Sequence, residues 1–199
     1  KAMAIAALWD YWKRMNQHLH SSEERSKVYG TEKVSVLGSY YSVMARSRAH
    51  EILLQAALSG KRGYVCVSNV HTTMTGFFCR EYRRVTNAAA FAVPDGVPLV
   101  WAMRSLGFPE QDRVRGPSLM RDLFDLGRAH QIRHYLYGGS PVALASLRKI
   151  LEEQYPGALI VGAESPPFKP LEAISEQEFS QAAERINASN PHFVWIGLG

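Results

Sequence analysis

The chain has 199 residues, 46% hydrophobic and 21% charged, a balance that suits one compact soluble domain with a substantial core. No apolar run approaches the ~20 residues of a membrane-spanning helix, and no secretory signal is visible at the start. Two cysteines, Cys66 and Cys79, cannot build a disulfide framework, so buried or half-buried thiols in a reducing cytoplasm are expected. The net charge of +5 favours an anionic partner: nucleic acid, a phosphorylated substrate or an acidic membrane face. It is spread out, with Arg80, Arg83 and Arg84 the densest cluster. Zinc-finger spacing and an aromatic RNA-binding signature are both missing, which ranks nucleic acid low.

Residues 4–27 read as an amphipathic helix, with Ile5, Leu8, Trp9, Trp12, Met15 and Leu19 at three- and four-residue spacing. Such a helix docks on its own domain or a neighbouring subunit, or lies on a membrane surface. Ser21 to Thr31 reads as a linker. Beyond it, short apolar strands alternate with helices. Strands are expected at Val34–Leu37, Tyr64–Val67, Phe91–Val93, Ile132–Tyr137, Leu159–Val161 and Phe193–Ile196. Helices are expected over Ala45–Leu58, from Asn69 to Phe78 or Tyr82, from Val97 to near Gly107, and over Ser118–His130, Pro141–Tyr155 and Ser175–Ala188. This alternation implies βαβ units and a mainly parallel, Rossmann-like sheet with helices on both faces, preceded by an N-terminal helical extension.

In a doubly wound sheet, ligands bind outside the carboxyl ends of the strands. Three loops occupy such positions. The first carries Asn69 and His71, the second Pro94-Asp95-Gly96, and the third Gly138-Gly139-Ser140. Asp95 is the candidate for the centre of an active site, although Pro-Asp-Gly is also ordinary turn chemistry. Asn69 could orient a substrate hydroxyl or simply cap the next helix. His71 could serve acid–base work or be structural. Gly138 and Gly139 allow close approach of backbone to a ligand, and the helix start behind them offers N–H groups to a phosphate. Arg113 and Arg115 in QDRVRGPS could bind phosphate or be surface residues. The chain matches neither G-x-G-x-x-G nor the P-loop, and it contains no Asp-x-Asp for a metal-clamped diphosphate.

The ordered set VPDGVPLVWAMRSLG, DRVRGPSLM, YLYGGSPVALASLRKILEEQYPGALIVG and INASNPHFVWIGLG resembles the WecG/TagA/CpsF family of bacterial glycosyltransferases from Val34 to the end. The resemblance implies a metal-independent, inverting transferase without a cofactor. It would move a sugar from a UDP-sugar to a polyprenyl-diphosphate-linked saccharide at the inner face of the plasma membrane, as a peripheral protein and a possible homo-oligomer. It places the catalytic base at Asp95 and substrate contacts at Asn69, Arg113, Gly138 and Gly139. Phe168 is the remaining ring of an aromatic pair that would stack on uracil, its neighbour being Pro167. Val67 and Ser118 replace a Thr and an Asp of the family pattern. The resemblance also implies residues 32–199 as the α/β core, with 1–31 outside it, and a family motif that continues past Gly199, so a C-terminally truncated core is expected. Those replacements leave a second reading open: a catalytically idle nucleotide-sugar-binding or scaffold protein of a polysaccharide assembly. A Rossmann oxidoreductase lacks its glycine fingerprint here.

Overall fold

The computed structural model describes residues 31–167, 169 and 173–198. The helix expected over 4–27 and Phe168 lie outside the described residues. The chain is α/β, built from seven strands and seven α-helices among the described residues. Strands β1 (Lys33–Val36) and β2 (Ser39–Ser42) form an antiparallel hairpin. Its two-residue loop, Leu37 at φ 52° and Gly38 at φ 82°, has the paired positive φ of the tight turns that match strand twist. The second strand, Ser-Tyr-Tyr-Ser, escapes sequence reading because only Tyr41 marks a core-facing aliphatic or aromatic position there.

Helix α1 (Arg46–Leu58) follows, burying Ala49, Leu53 and Leu54. Strands β3 (Val65–Ser68) and β4 (Phe91–Pro94) pair in parallel. The connection between them holds two helices where sequence periodicity predicts one, α2 (Val70–Phe78) and α3 (Arg80–Ala88). The break is at Cys79, whose extended backbone (φ −117°, ψ 108°) ends the first helix and starts the second. Helix α4 (Val97–Ser105) buries Leu99, Val100 and Met103. Helix α5 (Gly116–Gly127) tightens into a 3-10 turn at Arg128–His130.

The remainder alternates regularly: β5 (Arg133–Gly138), α6 (Pro141–Gln154), β6 (Leu159–Glu164), α7 (Glu176–Ala188) and β7 (Phe193–Gly197). The three strands form a parallel sheet in the order β6-β5-β7. Described strands thus fall into three small sheets, two parallel and one hairpin. By compactness the chain divides into two units, one made of Lys61–Leu119 with the described residues before Ala57, the other of Ala57–Gly60 with the chain from Met120 onward.

In the first unit, Tyr41, Ala92, Leu99 and Met103 form a buried cluster joined by Val34, Val36 and Cys66. Both cysteines are free and half-buried, as composition predicts. Burial pushes the Cys66 thiol up to about 12, so it stays protonated and unreactive at neutral pH.

In the second unit, alternation along β5 sorts the layers. His134 and Leu136 face one side, where Phe124, Leu151 and Trp195 close the core. Tyr135 faces the other, where its hydroxyl donates to Glu164, which also pairs with Arg185 of α7. Gly162 belongs to that face because any side chain there would collide with the Tyr135 ring.

His134 is a core residue stacked 3.9 Å from Phe124. Its Nδ1 accepts a 3.1 Å hydrogen bond from Trp195 Nε1, so the neutral ring carries its proton on Nε2, which is buried without a hydrogen-bond partner. Burial, with the nearby His192 adding to it, pushes His134 from 6.5 down to about 4. An unfolded chain therefore takes up this proton before the folded one does. Stability is complete above pH 6.5, falls as the pH drops through the window down to about 4, and levels off below it. Urea unfolding across that window should show the wild type losing about 3 kcal/mol more than His134→Phe.

Candidate active site

In the first unit two parallel strands end side by side, and their exit loops touch. The Asp95 N–H donates to Ser68 O at 2.7 Å. A Cβ on Gly96 would sit 3.3 Å from Asn69 Cα, so the glycine of Pro-Asp-Gly permits this close approach. Asn69 is the N-cap of α2: its Oδ1 accepts from Thr72 N at 3.1 Å, while Thr72 Oγ1 accepts from Asn69 N at 2.8 Å. This reciprocal capping box fixes where the helix begins. Behind it, Thr73 donates to Asn69 O and meets the buried Tyr41 hydroxyl at 2.8 Å.

The third arm is the loop after α4. Val114 is fully buried and its N–H donates to Pro94 O at 2.9 Å. Alternation around this plug leaves Arg113 and Arg115 exposed. Arg113 turns onto Asp95: Nη2 donates to Oδ1 at 3.1 Å, and Nε donates to both the carboxylate and the Asp95 carbonyl. The two side chains are 43% and 27% exposed, so the pair is open to solvent and to ligand. The structure therefore brings Asn69, Asp95 and Arg113 together. His71 is exposed in the first turn of α2.

Gly138 and Gly139 belong to the second unit, at the end of its central strand. A Cβ on Gly138 would fall 2.2 Å from Gly197 O, at a φ of +127° that side chains avoid. The Gly139 N–H donates to Gly197 O at 2.9 Å, which leaves the N–H groups of the helix start behind it as the ones that sequence reasoning offers to a phosphate. Its carbonyl accepts from Ser165 Oγ at 2.6 Å. The turn is thus pinned from two neighbouring strand ends. Ser140 caps α6 through Ala143 N, with Pro141 in its first turn.

Sequence reasoning missed Gln111. It is 1% exposed; Nε2 donates to Met44 O and Asp112 O, and Oε1 accepts from Met44 N. Arg104 Nε donates to its carbonyl. Gln111 thereby anchors the loop that carries Arg113. A polar residue in a polar loop sends no signal of burial, and none could have found it.

Strand-end loops that gather a carboxylate, an amide and a guanidinium mark an α/β protein with a candidate ligand site outside its parallel strands. The chain belongs to the Glycosyl transferase WecG/TagA/CpsF family, whose sequence model matches residues 34–199. It is similar to an N-acetylglucosaminyldiphosphoundecaprenol N-acetyl-beta-D-mannosaminyltransferase of Bacillus spizizenii, at 25% identity over 139 residues. That match covers 70% of this chain and 51% of the relative, so the chain spans about half the length of the curated relative it matches.

Replacing Gln111 by Ala strands the Met44 N–H and carbonyl in the interior. We expect a loss of about 2 kcal/mol in denaturant unfolding. Gly138→Ala combines collision with left-handed strain, and should cost at least as much, about 3 kcal/mol, by the same measurement.

Proposed function

We propose that this chain is the catalytic core of a metal-independent, inverting glycosyltransferase that uses a UDP-sugar and a polyprenyl-diphosphate-linked saccharide. The observation that carries the reading is the cluster of Asp95, Asn69 and Arg113 at adjoining strand ends in a chain of this family. The relative's name supports N-acetylmannosamine as the sugar and an undecaprenyl-diphosphate-linked N-acetylglucosamine as the acceptor. The parallel strands support a Rossmann-like core over residues 32–199, with 1–31 as an added helix and linker. A lipid-linked acceptor places the protein peripherally at the inner face of the plasma membrane, and a homo-oligomer is compatible with this.

In the proposed reaction an acceptor hydroxyl attacks the anomeric carbon from the face opposite UDP. The new glycosidic bond forms as the bond to the diphosphate oxygen breaks. Asp95 takes the hydroxyl proton during the attack, and UDP leaves with the electron pair. Arg113 offsets the charge developing on the diphosphate. It is paired with Asp95 in the free protein, so donor phosphates compete for the guanidinium and release the carboxylate for the acceptor. Asn69 spends Oδ1 on the helix cap and keeps its amide hydrogens for a substrate hydroxyl. The family resemblance is what supports Gly138, Gly139 and Phe168 as nucleotide contacts; within its own unit, the Gly138-Gly139 turn is held by Ser165 and Gly197.

Asp95→Asn keeps the shape and removes the base. Transfer to a lipid-diphosphate acceptor should fall by about 10²–10⁴-fold, with UDP-sugar affinity by calorimetry changed only a few-fold. Unchanged turnover removes Asp95 from the role. Arg113→Ala should weaken donor binding and slow transfer together.

A further inference from the structure

At the far end of α2 from Asn69, three elements meet. A Cβ on Gly76 would lie 3.1 Å from Ser39 Oγ of the hairpin and 3.6 Å from Arg83 Cα of α3. The hairpin tip lies along the Arg83 side chain, 3.3 Å from a Cβ placed on Gly38. Asn87 of α3 donates to Gly38 O and accepts from Tyr40 N. The tip and the α2–α3 corner are therefore one surface.

That surface is unusual in what it exposes. Phe78 is 79% exposed and Phe77 47%, the two rings meeting edge to face at 5.1 Å. Leu37 at the hairpin tip is 49% exposed. The helix break at Cys79 ends α2 at these rings instead of carrying it onward. Beside them stand Arg80, Arg83 and Arg84 against a single acidic neighbour, Glu81. Arg80 and Arg84 are exposed, and the densest basic cluster of the sequence thus borders the most exposed phenylalanines among the described residues.

We propose that the α2–α3 corner, with the hairpin tip, is a docking surface for an anionic lipid bilayer: Phe77, Phe78 and Leu37 enter the acyl boundary while the arginines lie among lipid phosphates. Charge complementarity selects this occupant. Apolar side chains rimmed by guanidinium groups match the layered chemistry of a bilayer interface, apolar beneath and anionic above. The inference rests on the proposed lipid-linked acceptor only for its purpose; the surface itself is independent of the reaction.

The test is flotation of the full chain with vesicles of phosphatidylcholine, with and without phosphatidylglycerol. Binding should require the anionic lipid and weaken in high salt. Phe77→Ser/Phe78→Ser should reduce the vesicle-bound fraction about tenfold, and Arg80→Gln/Arg84→Gln should remove the preference for anionic lipid. Phe78→Ser alone, at a site this exposed, guards against misfolding of the double variant and should give a smaller loss in the same direction. Wild-type binding that ignores phosphatidylglycerol, or binding unchanged in all three variants, overturns the proposal. So does a dimer that the phenylalanine changes convert to monomer without altering vesicle binding. A short-chain, water-soluble acceptor separates this idea from the proposed reaction. The phenylalanine variants should match wild type on it and fall behind on acceptor embedded in vesicles. Absence of transfer by every form would count against the reaction and leave the flotation result standing.

Discussion

The candidate site hangs on a buried amide. Gln111 supplies the Met44 N–H with an acceptor and the Met44 carbonyl with a donor in the interior, and doing so fixes the middle of an irregular loop. Three residues on, Val114 fills the space behind β4 and ties its N–H to Pro94. With both anchors set, the two residues between them have few places to go. Arg113 faces outward over the Asp95 carboxylate. An interaction between interior groups thereby determines where a surface cation stands, a more precise arrangement than a loop held by exposed charges.

The second unit relies on a different constraint. Its central strand carries an aromatic layer on one face and a tyrosine–glutamate–arginine network on the other. A one-residue slip of β5 would exchange those faces, putting His134 against charge and Tyr135 into the core. The irregularity opposite His134 and Tyr135 absorbs one residue of β6 so that Gly162 falls against the Tyr135 ring. The glycine turn at its carboxyl end inherits that register, since Gly138 pairs directly with Gly197 of β7.

Most of the secondary structure was legible because apolar runs bounded by Gly, Pro or Asn carry their own punctuation. Asp95 and Asn69 could be picked out because strand ends are readable and both follow short apolar runs. The end of α2 at Phe78 was one of the two ends that the sequence offered, but the second helix from Arg80 was not legible, since no Gly or Pro separates Phe77 from Ala90 and tertiary packing decides where the chain breaks. Strand β2 was hidden by its tyrosines and serines. The pairing of Arg113 with Asp95, and of Gly139 with Gly197, depends on residues 18 and 58 positions apart, contacts that local pattern cannot supply.

Leu37 gives the hairpin a last consequence. A β-carbon in the left-handed region costs roughly 1 kcal/mol that Asn or Gly would avoid, and here it belongs to an aliphatic side chain half open to water. Neither folding nor solubility favours leucine at that place. A turn that carries backbone strain on an exposed aliphatic side chain gives up stability that Gly or Asn would restore, so position 37 is a point where selection for stability alone would change the sequence.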